Sequence, residues 1–135
     1  MVMIKIELPI KTVSEANSSE HWTKKAERHK QQQFILRWGL KNYMCMLKVP
    51  CTVKLTRLSP RTLDSDNLLT SLKYIRDEIS EILIPEKKKY YLSKQGRAVP
   101  IKGRADDDPR IKWEYDQQKS KTQSVMIEID FDEIK

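Results

Sequence analysis

Apolar and polar residues alternate from the start of the chain: Ile4, Ile6 and Leu8 are separated by Lys5 and Glu7. That period of two predicts a strand with one buried face, ending at Pro9. Lys11 to Ser19 is polar and irregular. From Ser19, which can cap a helix, a long helix is predicted to about Met46, with no proline before Pro50. Its apolar positions (Trp22, Ala26, Phe34, Ile35, Trp38, Tyr43) are sparse at first and denser later, and Gly39 weakens or bends it. Cys51, Val53 and Leu55 then alternate with Thr52, Lys54 and Thr56, a second strand. Leu68, Leu72, Ile75, Ile79 and Ile82 recur at spacings of four, three, four and three, the buried face of a second helix.

After Pro85 the pattern fails. Residues 86–105 are rich in Lys and Arg, contain Gly and Pro, and hold no period, so they predict a basic flexible loop or a loose hairpin. Ile111, Trp113 and Tyr115 alternate with charged residues as a third strand; 117–122 is a polar turn. Val125, Ile127, Ile129 and Phe131 make a fourth. The order β-α-β-α-β-β implies an α/β (α+β) fold in one domain, with two helices packed on a mixed sheet.

Composition narrows the class. At 135 residues the chain is long enough to bury a core, and its net charge of +7 points to an anionic partner, most often nucleic acid. Cys45 and Cys51 match no zinc spacing and suit a reduced, cytoplasmic setting. No apolar run is long enough to span a membrane, and the first residues read as a strand rather than a signal peptide.

Against that basic background, Asp64 and Asp66 stand just before the second helix. One aspartate suffices to cap it. If the entry is extended, both carboxylates point to one side and repel, unless a cation sits between them. Mg²⁺ suits such a place, because it takes oxygen ligands and one or two carboxylates while keeping water and phosphate positions. Lys73 lies nearly two turns beyond Asp66, on the same azimuth of a continuous helix, and leans back toward its acidic end. A second acidic run, Asp106-Asp107-Asp108, precedes Pro109 and the third strand.

The string D-S-D-N-L at Asp64–Leu68, with Lys73 and Asp77 further along and D-D-D-P at Asp106–Pro109, resembles the RusA family of Holliday junction resolvases. Asn17 before His21-Trp22 and a basic helix, and the closing hairpin, extend the likeness over most of the chain. The resemblance implies a RusA-like single domain and a homodimer in a bacterial or phage-infected cell, associated with the nucleoid. It also implies paired nicking of four-way DNA junctions with Mg²⁺ (Mn²⁺ as substitute) and no small-molecule cofactor. Asp64 and Asp66 match the first acidic pair, and one or two of Asp106, Asp107 and Asp108 the second. The metal would fall to Asp64, Asp66, Asp106 and Asp107, and catalysis to Asp64, Asp66, Asp107 and Lys73. The family's lysine stands four residues after the second aspartate, where this chain has Thr70; Lys73 is at seven.

DNA backbone contacts are expected from Lys24, Lys25, Arg28 and Lys30 on the first helix, from Arg61, and from Lys87, Lys88, Lys89 and Arg97 in the basic segment. Tyr90 and Tyr91 suit stacking on splayed bases or tethering of that segment. Trp22, Trp38 and Trp113 read as core or dimer contacts, His21 as a helix-start residue and His29 as a surface one. Two rival functions remain: a DNA-binding protein on the same fold without catalysis, and a nuclease for flaps or single strands.

Overall fold

A computed structural model describes residues 2–13, 21–85, 89–101 and 107–131. The elements are β1 (Val2–Leu8), α1 (Trp22–Leu40) with a 3₁₀ turn (Lys41–Tyr43), β2 (Cys51–Ser59), α2 (Ser65–Ser71), α3 (Lys73–Leu83), β3 (Lys89–Leu92), β4 (Ala98–Ile101), β5 (Ile111–Lys119) and β6 (Ser124–Phe131). Among the described residues, β1-β6-β2-β5 form one mixed sheet and β3-β4 a separate two-stranded one. β6 runs antiparallel to both β1 and β2, while β2 and β5 are parallel, in register from Cys51 opposite Ile111 to Ser59 opposite Lys119. A parallel pair needs a crossover, and α2–α3 lies within it. The α+β expectation therefore holds.

The period of two decides which face carries the core. Val53 and Leu55 of β2, Val125, Ile127 and Ile129 of β6, and Ile4 and Leu8 of β1 form it with Leu36 and Leu40 of α1 and Leu72, Ile75 and Ile79 of α3. Each such side chain contributes roughly 1.5–3 kcal/mol by leaving water. The helices lie on that face: His29 of α1 stacks on Tyr74 of α3 with ring centroids 3.6 Å apart, and Arg37 pairs with Glu78.

The elements depart from the sequence pattern in several places. α1 begins at Trp22, not Ser19; His21 is its N-cap, its Nδ1 accepting from the Thr23 N–H at 3.3 Å. It ends at Leu40 instead of running to Met46. Trp22, Phe34 and Trp38 are exposed, because α1 is apolar on more than its packed face and the buried stripe is Gln32, Leu36 and Leu40. A core role for Trp22 and Trp38 is thereby excluded, and His29 is half-buried rather than a plain surface residue.

The second helix is two helices. The Ser71 hydroxyl donates back to the Leu68 carbonyl at 2.7 Å and the Thr70 hydroxyl to that of Asn67 at 3.1 Å. Such back-bonding competes with the helical ladder, and Leu72 sits at φ −101°, ψ 0° between α2 and α3. The buried series ends on Leu83, with Ile82 only partly covered. β5 continues through Gln117–Lys119, placed in a turn by polarity alone, because Arg57–Ser59 of β2 supply ladder partners. The basic segment forms the β3–β4 hairpin, turning at Gly96 with φ +77°, a conformation suited to glycine.

Gly39 matters for closeness rather than bending: a Cβ there would collide with both Leu8 methyl groups. Gly39→Ala should therefore lose stability, since overpacking costs about 1–3 kcal/mol and the helix-propensity gain returns at most about 1. A urea midpoint above that of the parent chain would show that Leu8 does not fill this space. Burial also pushes the Cys51 thiol up to about 11, leaving on the order of one thiolate in a thousand at pH 8. A thiol reagent at that pH should modify exposed Cys45 and spare Cys51 until the chain is unfolded.

Candidate functional site

The acidic pair sits on a loop that the sheet holds from beneath. β2 leaves the core at Arg57, a cation only 6% exposed because it lies in phase with Val53 and Leu55. Its Nε donates to the Thr12 hydroxyl at 2.9 Å and its Nη1 to the Arg61 carbonyl at 2.7 Å. Burial lowers its pKa. From β5, the Gln117 side chain grips Leu63 twice, its Oε1 accepting from the Leu63 N–H at 2.8 Å and its Nε2 donating to the Leu63 carbonyl at 2.5 Å. The loop between Ser59 and Asp64 is thus fixed to both parallel strands.

Asp64 is the N-cap of α2, its Oδ1 accepting from the Asn67 N–H at 3.0 Å. Asp66 lies in the first turn, is exposed, and is not needed for the cap. The two carboxylates share one exposed helix entrance, where the positive end of the helix dipole favours negative charge. Arg61 is exposed just upstream.

The later acidic run lies elsewhere. Asp108 is buried, and Arg110 holds it by Nε at 3.0 Å, Nη2 at 3.1 Å and its own N–H at 3.0 Å. Asp107 is exposed; Asp106 lies outside the described residues. Asp107 and Asp108 lead into the N-terminal end of β5, whereas Leu63 is tied to Gln117 near its C-terminal end. From Ile111 to Gln117 is six residues, about 20 Å at strand rise. Among the described residues no group of three His, Cys, Asp or Glu side chains is placed to hold a metal. Among the described residues, Asp107 and Asp108 therefore do not converge with Asp64 and Asp66 within one chain: parallel pairing puts the residues just after β2 and those just before β5 at opposite ends.

Lys73 does not continue the helix that holds Asp66. It is the first residue of α3, beyond the break at Leu72, so the two do not share one continuous helix. Its ammonium lies 5.9 Å from the Tyr74 ring centroid. With Leu69, Thr70, Arg76 and Tyr115 it lines a cavity of about 320 Å³. Arg76 contacts the Tyr115 hydroxyl and stands 4.9 Å over half-buried Trp113. Asp77 is half-buried on the same helix, and Thr70 keeps its hydroxyl on the α2 backbone.

The basic residues are spread out. Lys24 and Lys30 are exposed on α1, Lys25 and Arg28 half-buried there, and Arg97 exposed beside the hairpin turn. Lys87 and Lys88 lie outside the described residues, and Lys89, Tyr90 and Tyr91 are described only as strand backbone. Arg57 and Gln117 escaped the sequence reading. A cation in the buried phase of a strand was a usable signal for Arg57; Gln117, placed in a polar turn, offered none.

In donor type the Asp64–Asp66 entrance fits a Mg²⁺ ion, which accepts as few as one or two carboxylates with water. Among the described residues, Asp64 and Asp66 are the carboxylates at that entrance. No protein-family model and no curated protein matches the sequence.

The two aspartates should separate by substitution. Asp64→Ala removes the cap and should lower stability by about 1 kcal/mol, whereas Asp66→Asn should leave the denaturation midpoint within about 0.5 kcal/mol of the parent. Equal losses from both would mean that Asp66 is also structural.

Proposed function

We propose that the chain is a Mg²⁺-dependent endonuclease that nicks branched DNA, four-way junctions above all, as a homodimer. The observation that carries this reading is the exposed Asp66, unused by the fold, beside a second carboxylate at a helix entrance in a chain of net charge +7. The resemblance of D-S-D-N-L and the later D-D-D-P to the RusA pattern supports it. So does the exposed Asp107, which a partner chain can bring to the entrance where a single chain cannot.

Asp64 would hold Mg²⁺ with the carboxylate oxygen it does not use as a cap, and Asp66 with either. A bound Mg²⁺ supplies an acidified water and offsets charge on the phosphoryl oxygens. Lys73, exposed at the start of α3, is available to balance charge on the phosphate. Arg61 precedes the entrance and orients the incoming strand by its phosphate. Lys24 and Lys30 on α1 add backbone contacts that carry no sequence information. A junction is then selected by shape, through two such sites at a fixed spacing.

The distribution of the acidic residues also favours a second reading, a DNA-binding protein on this fold without catalysis. Junction affinity unchanged by EDTA, with no products, is what that reading requires.

With Mg²⁺ or Mn²⁺ the purified chain should nick a synthetic four-way junction in two symmetric strands, with binding that falls steeply as salt rises. Asp66→Asn should keep junction affinity and lose more than about 100-fold in cleavage rate. No cleavage with either metal, on junction, flap or single-stranded substrates, would falsify the nuclease reading.

A further inference from the structure

A cavity of about 320 Å³ straddles the helix break at Leu72. Leu69 and Thr70 line it from the last turn of α2, Lys73 and Arg76 from the first turn of α3, and Tyr115 from β5. Its volume is that of a small ligand pocket. Its mouth lies one helical turn from Asp66. Leu69 and Thr70 follow Asp66 on the same face of α2, where Cβ atoms stand about 5–6 Å apart.

The lining combines apolar walls with a cationic rim. Leu69, 45% exposed, and the Tyr115 ring supply the apolar surface. Arg76 contacts the Tyr115 hydroxyl and lies over Trp113, so its guanidinium is fixed as part of the wall. Lys73 is exposed at the rim, with an ammonium that donates and cannot accept. Among the described residues, none that lines the cavity is acidic. A phosphate suits a concave bed of backbone N–H groups, which Leu69 and the Tyr115 ring do not provide. A nucleobase has apolar faces and a polar edge, and it matches both parts of this lining.

We propose that the cavity receives one unstacked nucleobase of the bound strand, next to the phosphate at Asp66, and that it favours guanine. The proposal rests on the nuclease reading for the presence of that strand, and on the cavity for the rest. The base lies against Tyr115 and Leu69 with its edge toward Lys73. Guanine turns neighbouring acceptors, O6 and N7, to such a donor, whereas adenine places an amino group where guanine has O6. Donor then faces donor, and adenine is the weaker ligand. An unpaired nucleotide at a branch point enters most readily, since no base pair has to open. The cavity thereby adds a preference for base to phosphate contacts that carry none.

Affinity tests this without cutting. The Asp66→Asn chain is mixed, in Mg²⁺, with four-way junctions bearing one unpaired nucleotide at the branch point: guanine, adenine or an abasic residue. The guanine junction should bind about tenfold more tightly than the abasic one, with adenine between them. Leu69→Trp, at an exposed position, fills the cavity and should make the three affinities equal. Lys73→Met should bring guanine to the level of adenine. With Leu69 and Lys73 intact, 5-iodouracil at the unpaired position should cross-link to Tyr115 on irradiation, a readout independent of whether either of these variants folds. Equal affinities for the three junctions before Leu69 is replaced, a base dependence that survives Leu69→Trp, a guanine preference that survives Lys73→Met, or cross-links confined to other segments overturn the proposal. The two readings fail separately: a base-dependent chain that cuts no DNA keeps the cavity and loses the nuclease, and a chain that cuts without base dependence does the reverse.

Discussion

Parallel pairing of β2 with β5 is the constraint on which the rest of the molecule depends. Two parallel strands cannot be joined by a tight turn, so the chain must travel the length of the sheet between them. Here α2 and α3 lie on that path and supply Leu72, Ile75 and Ile79 to the core. Direction then decides the electrostatics. The residues after β2 emerge at one end of the pair, and those before β5 enter at the other. Asp64 with Asp66 and Asp107 with Asp108 are separated by this geometry, however acidic both stretches look on paper.

The entrance that carries Asp64 and Asp66 has little freedom. Arg57 holds the Arg61 carbonyl from below, and Gln117 holds both backbone groups of Leu63 from the side. A buried guanidinium would be costly unless its donors were satisfied, and Thr12 and Arg61 accept from it. The acidic loop is thus coupled to the outermost strand.

Most of the architecture was legible because strands announce themselves by alternation. β1, β2, β5 and β6 all appear at the expected positions, and the mixed sheet agrees with their order among the helices. The helix break at Leu72 was hidden, because apolar spacing continues through it. Only the two hydroxyls at Thr70 and Ser71, turned back on their own carbonyls, mark it. The far end of β5 was hidden as well, since Gln117–Lys119 are polar and are held as strand by pairing rather than by burial. The cap and the spare carboxylate at Asp64 and Asp66 could be named from sequence. Their distance from Asp107 could not, because it depends on strand direction, which no local pattern encodes.

The sheet has a second face, turned away from the helices. Lys5, Glu7, Lys112, Glu114, Asp116 and Gln118 project there, all exposed. Side chains on that surface answer to solvent rather than to a core, so many residues will serve at each of those places. These exposed positions of β1 and β5 thus carry less of the fold's constraint than Ile4, Leu8 and Ile111 on the covered face. Ancestry in a sheet of this build is written in the alternate letters, and a comparison that weighs all letters equally dilutes it.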